Sequence, residues 1–316
     1  MNQEWDADKI YVVEPILTAI PIADANFKAY LVANFDTDGD GEISSSEAKQ
    51  VTTINVDTDN IYSLDGIEYF TSLTQLTCNG TAEWDISSGR FIGKGNLTEI
   101  NLSKNVKLIF LNCEYNQLTQ IDLSNNHQIT NLSCNGNQLT QLNLSNNTLL
   151  TDLLCMHNQL AQLDLSNNIN LTTLACGSNQ LTQLDLSNNT KLITLDCYAN
   201  QLTQLDLSNS IQLTQLYCQS NQLTRLNLSN NTELGNLTCD GNQLTELDLS
   251  NNIKLYSLSC VLNQLTKLDL SNNTQLVQLT CQNNQLAQLD LSNNSSLEHI
   301  ECNDNQLTTL DVSNNP

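Results

Sequence analysis

The chain has 316 residues, with 34 Asp plus Glu against 11 Lys plus Arg and a formal net charge of −23. Such an excess repels phosphate backbones and anionic head groups, which argues against nucleic acid as a partner, and no stretch reaches the roughly 18 consecutive apolar residues a membrane span needs. The cysteine count is odd, at 11, and the spacing lacks the CxxC or Cys/His clusters of zinc sites, which argues against a soft-metal centre.

In chain order, Met1 is followed by acidic and polar residues rather than a leader with an apolar centre. That start suits either a mature exported chain or a cytoplasmic one. Pro15 and Pro21 interrupt any helix before residue 25. Asp24 is a suitable N-cap, and Phe27, Tyr30, Leu31 and Phe35 then form an apolar stripe at helical spacing. The stripe is expected to pack on the first coils of the repeat region. Next comes Asp36 to Glu47, DTDGDGEISSSE, with acids or hydroxyls at loop positions 1, 3, 5, 9 and 12, Gly41 at the sixth and Ile43 at the eighth. This run resembles the EF-hand calcium loop. It implies one structural Ca2+ held by the carboxylates of Asp36, Asp38 and Asp40, the Glu42 carbonyl, Ser44 or its water, and a bidentate Glu47. Residues 1–52 are therefore read as a helical cap carrying this loop, and residues 53–316 as a solenoid.

Ile61, Leu64, Ile67, Phe70, Leu73 and Leu76 lead into a repeat whose cysteine returns every 21 residues ten times, from Cys113 to Cys302. A fixed period of this length makes each repeat one coil of a solenoid. Cys78 precedes Cys113 by 35 residues, so 14 are inserted around residues 79–95, carrying Trp84, Arg90, Phe91 and Lys94. The insertion is read as part of the cap, with a ligand-facing finger as the alternative. Within a coil the apolar residues are Leu171, Leu174, Cys176, Leu181, Leu184 and Leu186. Alternation around Leu174 has the period of a half-buried strand, and the coil is too short to add a full helix on its return side. Asn179 and its equivalents are expected at bends, bonding to backbone groups and stacking on the next coil's Asn. Asp122, Asp164, Asp185, Asp206, Asp248, Asp269, Asp290 and Asp311 share one register. They form a solvated column, with weak divalent-cation binding as the sharper alternative. Bridging stacked cysteines about 4.8 Å apart would strain the stack, since a disulfide needs roughly 3.8 Å between Cβ atoms, so they are expected as buried thiols.

The repeats resemble the leucine-rich repeat family, and more narrowly the cysteine-containing 21-residue repeats of internalin J. The resemblance covers residues 71 to 315. It implies a parallel-strand solenoid with extended or irregular return segments, a strand facing a concave surface, and a binding role often exercised on a bacterial surface.

The half-repeat LTQLDLSNN barely varies, whereas the half around the cysteine varies strongly. All five aromatics from Leu97 onward, Phe110, Tyr115, Tyr198, Tyr217 and Tyr256, lie between four residues before and two after a cysteine. Phe110, Tyr115, Leu154, Met156, His157, Tyr198 and Tyr217 are the candidate ligand-binding residues. The small residues Ala175, Gly177 and Ser178 between them suggest a shallow apolar depression, with Asp152 and Asp196 nearby, suited to protein surfaces or sugar rings. Val261 and Leu262, with Tyr256, suggest a second patch. Catalysis has little support: His127, His157 and His299 lie on different coils, and the aspartates are equivalent by repetition. The expected function is non-enzymatic adhesion to a protein or glycan, a host extracellular one included, by a monomer on a bacterial surface. A spacer that holds other domains off the envelope and a cytoplasmic scaffold stand as alternatives. The end at Asn315–Pro316 has no polar terminal repeat, so either coils follow or that edge contacts another molecule.

Overall fold

The structure is a computed structural model and describes residues 19–85 and 90–316. The expected break at Pro15 lies outside the described residues, as do the side chains of Trp84, Arg90 and Phe91. Helix α1, Ala25–Phe35, starts at Asp24, whose Oδ1 accepts the N–H groups of Asn26 and Phe27 at 2.9 and 3.0 Å. Its apolar stripe does what the spacing predicts. Phe27 and Leu31 are fully buried, and the Tyr30 hydroxyl accepts the Asn55 N–H at 3.1 Å, which ties the helix to the first coil. A single turn, α2, Ser45–Ala48, ends the acidic loop.

The main sheet begins with β1 (Thr53–Asn55) and β2 (Gln75–Thr77). The insertion forms an antiparallel hairpin, β3 (Ala82–Asp85) with β4 (Arg90–Gly93). Ten strands of three residues come next: β5 (Phe110–Asn112), β6 (Asn131–Ser133), β7 (Asp152–Leu154), β8 (Thr173–Ala175), β9 (Thr194–Asp196), β10 (Gln215–Tyr217), β11 (Asn236–Thr238), β12 (Ser257–Ser259), β13 (Gln278–Thr280) and β14 (His299–Glu301). With β1 and β2 they make one parallel sheet of 12 strands in sequence order. Since β2 pairs directly with β5, Gln75 opposite Phe110, the hairpin leaves the register of the coils undisturbed. Only the central residue of each solenoid strand points inward, so Leu174, Leu195 and Leu216 stack in one buried row. Leu171, Leu174, Cys176, Leu181, Leu184 and Leu186 of one coil are all buried. Burial of such side chains contributes roughly 1.5–3 kcal/mol each, and stacking coil on coil makes the core continuous.

Two asparagine ladders close the bends. Asn179 donates from Nδ2 to the carbonyls of Cys155, Cys176 and Gly177 at 3.0, 3.0 and 3.2 Å, and its Oδ1 accepts the Leu160 N–H at 3.0 Å. The amide therefore bonds to backbone, as expected, and Asn200 repeats the same bonds one coil on. Backbone groups left unpaired by the bend compete for every site the amide offers. On the opposite bend Asn189, fully buried, donates to the carbonyls of Leu165 and Asn168 at 3.2 and 3.0 Å. The 11 cysteines are unpaired, ten of them buried. Burial pushes the Cys155 thiol up to about 12, so the ladder behaves as a row of compact apolar groups.

Candidate functional site

The variable half of each coil forms one face of the sheet. On it the first and third residues of each strand point outward and are followed by the two residues after the cysteine. The third positions of β7 to β10 make the row Leu154, Ala175, Asp196, Tyr217 by direct register. One step along the chain from the cysteines lie Met156, Gly177 and Tyr198, and beside them His157, Ser178 and Ala199. All seven candidate ligand residues are half-buried.

The structure brings His157 and Tyr198 together across two coils. The Tyr198 hydroxyl is 2.9 Å from His157 Nε2, and the rings meet edge to face with centroids 6.1 Å apart. The intervening residue is Gly177, where any Cβ would overlap the Tyr198 ring. The small rung expected as a depression is therefore covered by that ring. Tyr115 packs in the same way over Gly136. Tyr217 leans in the other direction, accepting from Asn236 Nδ2 at 3.3 Å and donating to Gln215 Oε1 at 3.4 Å. Phe110 stands apart from the His157–Tyr198 pair, on β5. Val261 is half-buried, while Leu262 and Tyr256 are exposed, and the Tyr256 ring lies against Gly235.

Asp196 sits between Tyr198 and Tyr217. Burial pushes its carboxyl up to about 6, against a hydrogen bond from the Tyr198 N–H that lowers it. Sequence reasoning places Asp196 only at the margin of the site. Nothing in the repeat marks it, since its register also holds Leu154, Ala175 and Tyr217.

The hairpin β3–β4 is rooted beside this face. Gly95 N–H donates to the Tyr115 carbonyl at 3.0 Å and Gly80 N–H to the Glu114 carbonyl at 2.9 Å. Lys94 pairs with Glu83 at 2.6 Å. On the return side, each aspartate of the repeated column is exposed and accepts its own serine N–H, as Asp185 does from Ser187 at 2.9 Å. That bond holds Asp185 below the usual carboxylate range. The carboxylates run in line and do not converge.

Carboxylates do converge in the cap. Among the described residues, the one group of His, Cys, Asp or Glu atoms close enough to hold a metal ion is Asp36, Asp38 and Asp40, within 4.8 Å of one another. The N–H groups of Gly39 and Gly41 fix the Asp36 carboxylate at 2.6 and 2.9 Å, with Gly41 at φ 83°. At Asp38 a hydrogen bond from the Asp40 N–H lowers the carboxyl, but desolvation and the charges of Asp40, Glu47 and Asp36 outweigh it and push it up. The Glu42 side chain is engaged by Lys28 at 2.6 Å, so its backbone carbonyl is the oxygen it has to offer. Ser44 and Glu47 form a capping box at the start of α2, and Thr37 donates to Glu47 from both N–H and hydroxyl. Burial pushes the Glu47 carboxyl up, but these bonds prevail and hold it down to about 2. The three converging carboxylates are oxygen donors of the kind a hard cation takes, while Glu47 lies outside that group with its two oxygens held by Thr37 and Ser44. The Ile43 carbonyl accepts the Ile20 N–H at 2.8 Å, so the open edge of the loop is paired within the chain.

No family profile and no curated protein matches the sequence. Solved structures do. The functional domain of InlJ from Listeria monocytogenes, described as including a cysteine ladder, is 34% identical with a TM-score of 0.74, over 95% of this chain and 75% of that one. The internalin InlF from the same organism is 24% identical with a TM-score of 0.71, over 92% of each chain. YopM, a leucine-rich effector protein from Yersinia pestis, shares the fold at 21% identity and a TM-score of 0.55, over 76% of this chain and 74% of its own.

Proposed function

The chain belongs to the leucine-rich repeat family, among internalin-type proteins that carry a cysteine ladder, and from that premise we propose that it is a non-enzymatic module binding a protein or glycan through its strand face. The observation that carries this reading is the contrast between faces. The return side repeats LTQLDLSNN almost unchanged, whereas the strand face gathers the aromatics and locks one of them, Tyr198, against His157 in a preformed surface. Rigid aromatic groups with a polar surround present contact area at little entropic cost. Exposure on a bacterial cell surface, with a host extracellular ligand, suits the resemblance to the internalins. The cap is proposed to hold one Ca2+ at Asp36, Asp38, Asp40, the Glu42 carbonyl and Glu47, with Ser44 acting through a water, where the ion stiffens the entry to the first coil.

The experiment is capture on an array of mucins, glycans and extracellular-matrix proteins at physiological salt. Wild type is compared with a Tyr198→Ala/Tyr217→Ala variant of equal thermal stability. Capture that falls at least about tenfold in the variant supports the reading, as removal of aromatic anchors does at interfaces. Capture indifferent to both tyrosines, or none, refutes it and favours a spacer.

A further inference from the structure

From β5 to β14 the strand face carries no lysine or arginine among the described residues. Its carboxylates are not equivalent. Glu114 receives the Ser133 hydroxyl and Asn135 Nδ2. Asp152 receives Asn131 Nδ2 at 2.8 Å and the Thr151 hydroxyl at 2.7 Å, and Asp240 receives the Ser259 hydroxyl at 2.6 Å and the Val261 N–H at 2.8 Å. Glu301 takes His299 Nε2 and Gln282 Nε2. Asp196 has a single donor, the Tyr198 N–H at 3.3 Å. It is also flanked differently, with Tyr217 opposite it on β10, Ala175 opposite it on β8, and Tyr198 two residues on. Ala175 is buried and adds no polar group beside the carboxylate, and both tyrosines feel the Asp196 charge.

A half-buried carboxylate with one long hydrogen bond has lost water without replacing it, and a cation brought by a partner would replace it. We propose that Asp196, between Tyr198 and Tyr217, is the seat for a lysine or arginine side chain of a polypeptide lying across the strand face. The proposal rests on the docking role of that face. An ammonium or guanidinium there gains a charge-assisted bond to Asp196 beside the Tyr198 and Tyr217 side chains. Complementarity favours a basic polypeptide over a sugar, because the face is acidic along its length and holds no cationic side chain to engage an acidic glycan. A lone carboxylate offers too few oxygens for calcium.

The test titrates fluorescently labelled Gly-Arg and Gly-Lys repeat peptides, with a Gly-Glu peptide as control, into the full chain at physiological salt. Asp196→Asn is compared with Asp206→Asn, which removes the same charge from the return side, after circular dichroism melts show both to be folded. The expected result is a loss of about tenfold for Asp196→Asn, the size of one charge-assisted hydrogen bond. Asp206→Asn should stay within about twofold, as expected for an exposed charge, and the Gly-Glu peptide should not bind. Equal losses in the two variants would mean diffuse attraction to an acidic protein and would overturn the seat, as would absence of binding. An array ligand that needs both tyrosines yet ignores Asp196→Asn would leave the docking face standing and remove the seat. Peptide binding that depends on Asp196, with no array ligand that depends on the tyrosines, would do the reverse.

Discussion

Asn189 and Ser210 occupy the same register in successive coils, and the difference between them measures what a ladder asparagine does. Asn189 bonds two carbonyls of the preceding coil, whereas Ser210 is equally buried and its hydroxyl has no hydrogen-bond partner. Each such bond is worth about 0.5–1.5 kcal/mol net, and since Asn189 Oδ1 is as unpartnered as the Ser210 hydroxyl, the two Nδ2 bonds are the difference. Ser210→Asn should therefore stabilise the protein by about 1–2 kcal/mol, read as an upward shift of the urea midpoint with an unchanged slope. A neutral or destabilising result would show that the bend at Ser210 has relaxed around the smaller side chain. The role of the asparagines was legible because the repeat displays it ten times over. The seat at Asp196 was not, since it occurs once, and its meaning depends on which way the Tyr198 and Tyr217 rings lean.

At the scale of elements, one bend comes after every cysteine from Cys113 to Cys302 and puts the second residue beyond it in the left-handed region. Gly136 and Gly241 adopt φ 64° and 58° there, but so do Tyr115, His157 and Leu262 at 55°, 54° and 55°. For Leu262, 58% exposed, no packing compensates the strain, while Asn tolerates this conformation. Leu262→Asn should stabilise by about 0.5–1 kcal/mol in the same denaturant measurement; loss of stability would mean that Leu262 rests on something it needs. The sequence showed the glycines at this register but not the strain, because non-glycine residues fill it more often. In the cap loop the sequence pointed to the acids, and the structure brings Asp36, Asp38 and Asp40 together; the calcium reading is a proposal. Calorimetry should find one Ca2+ site that Asp36→Ala abolishes, with a higher melting temperature in calcium than in chelator. Binding undisturbed by Asp36→Ala, or none, would leave the loop as an acidic turn held by its own hydrogen bonds. The insertion that forms hairpin β3–β4 was read as part of the cap, with a ligand-facing finger as the alternative. Its place beside Tyr115 depends on contacts of Gly80 and Gly95 with a later coil, which no local pattern records.

For the whole molecule, the division of labour between two faces is a consequence of the repeat. The return side must rebuild the same Asx turns and asparagine bonds in each coil, so substitution there costs the fold. Outward positions on the strand face contact mainly their neighbours in the same rows and are free to vary. Buried native thiols make this division directly measurable. In a Cys302→Ser background, a cysteine is introduced either at Ser220 on the strand face or at Gln183 on the return side, both exposed, and capped with a bulky maleimide. The remaining cysteines, buried and held as thiols, should not react. Capture on the mucin, glycan and matrix array is then compared before and after labelling. The account predicts that labelled Ser220→Cys protein loses capture and labelled Gln183→Cys protein keeps it; the opposite pattern would contradict the strand face as the docking surface.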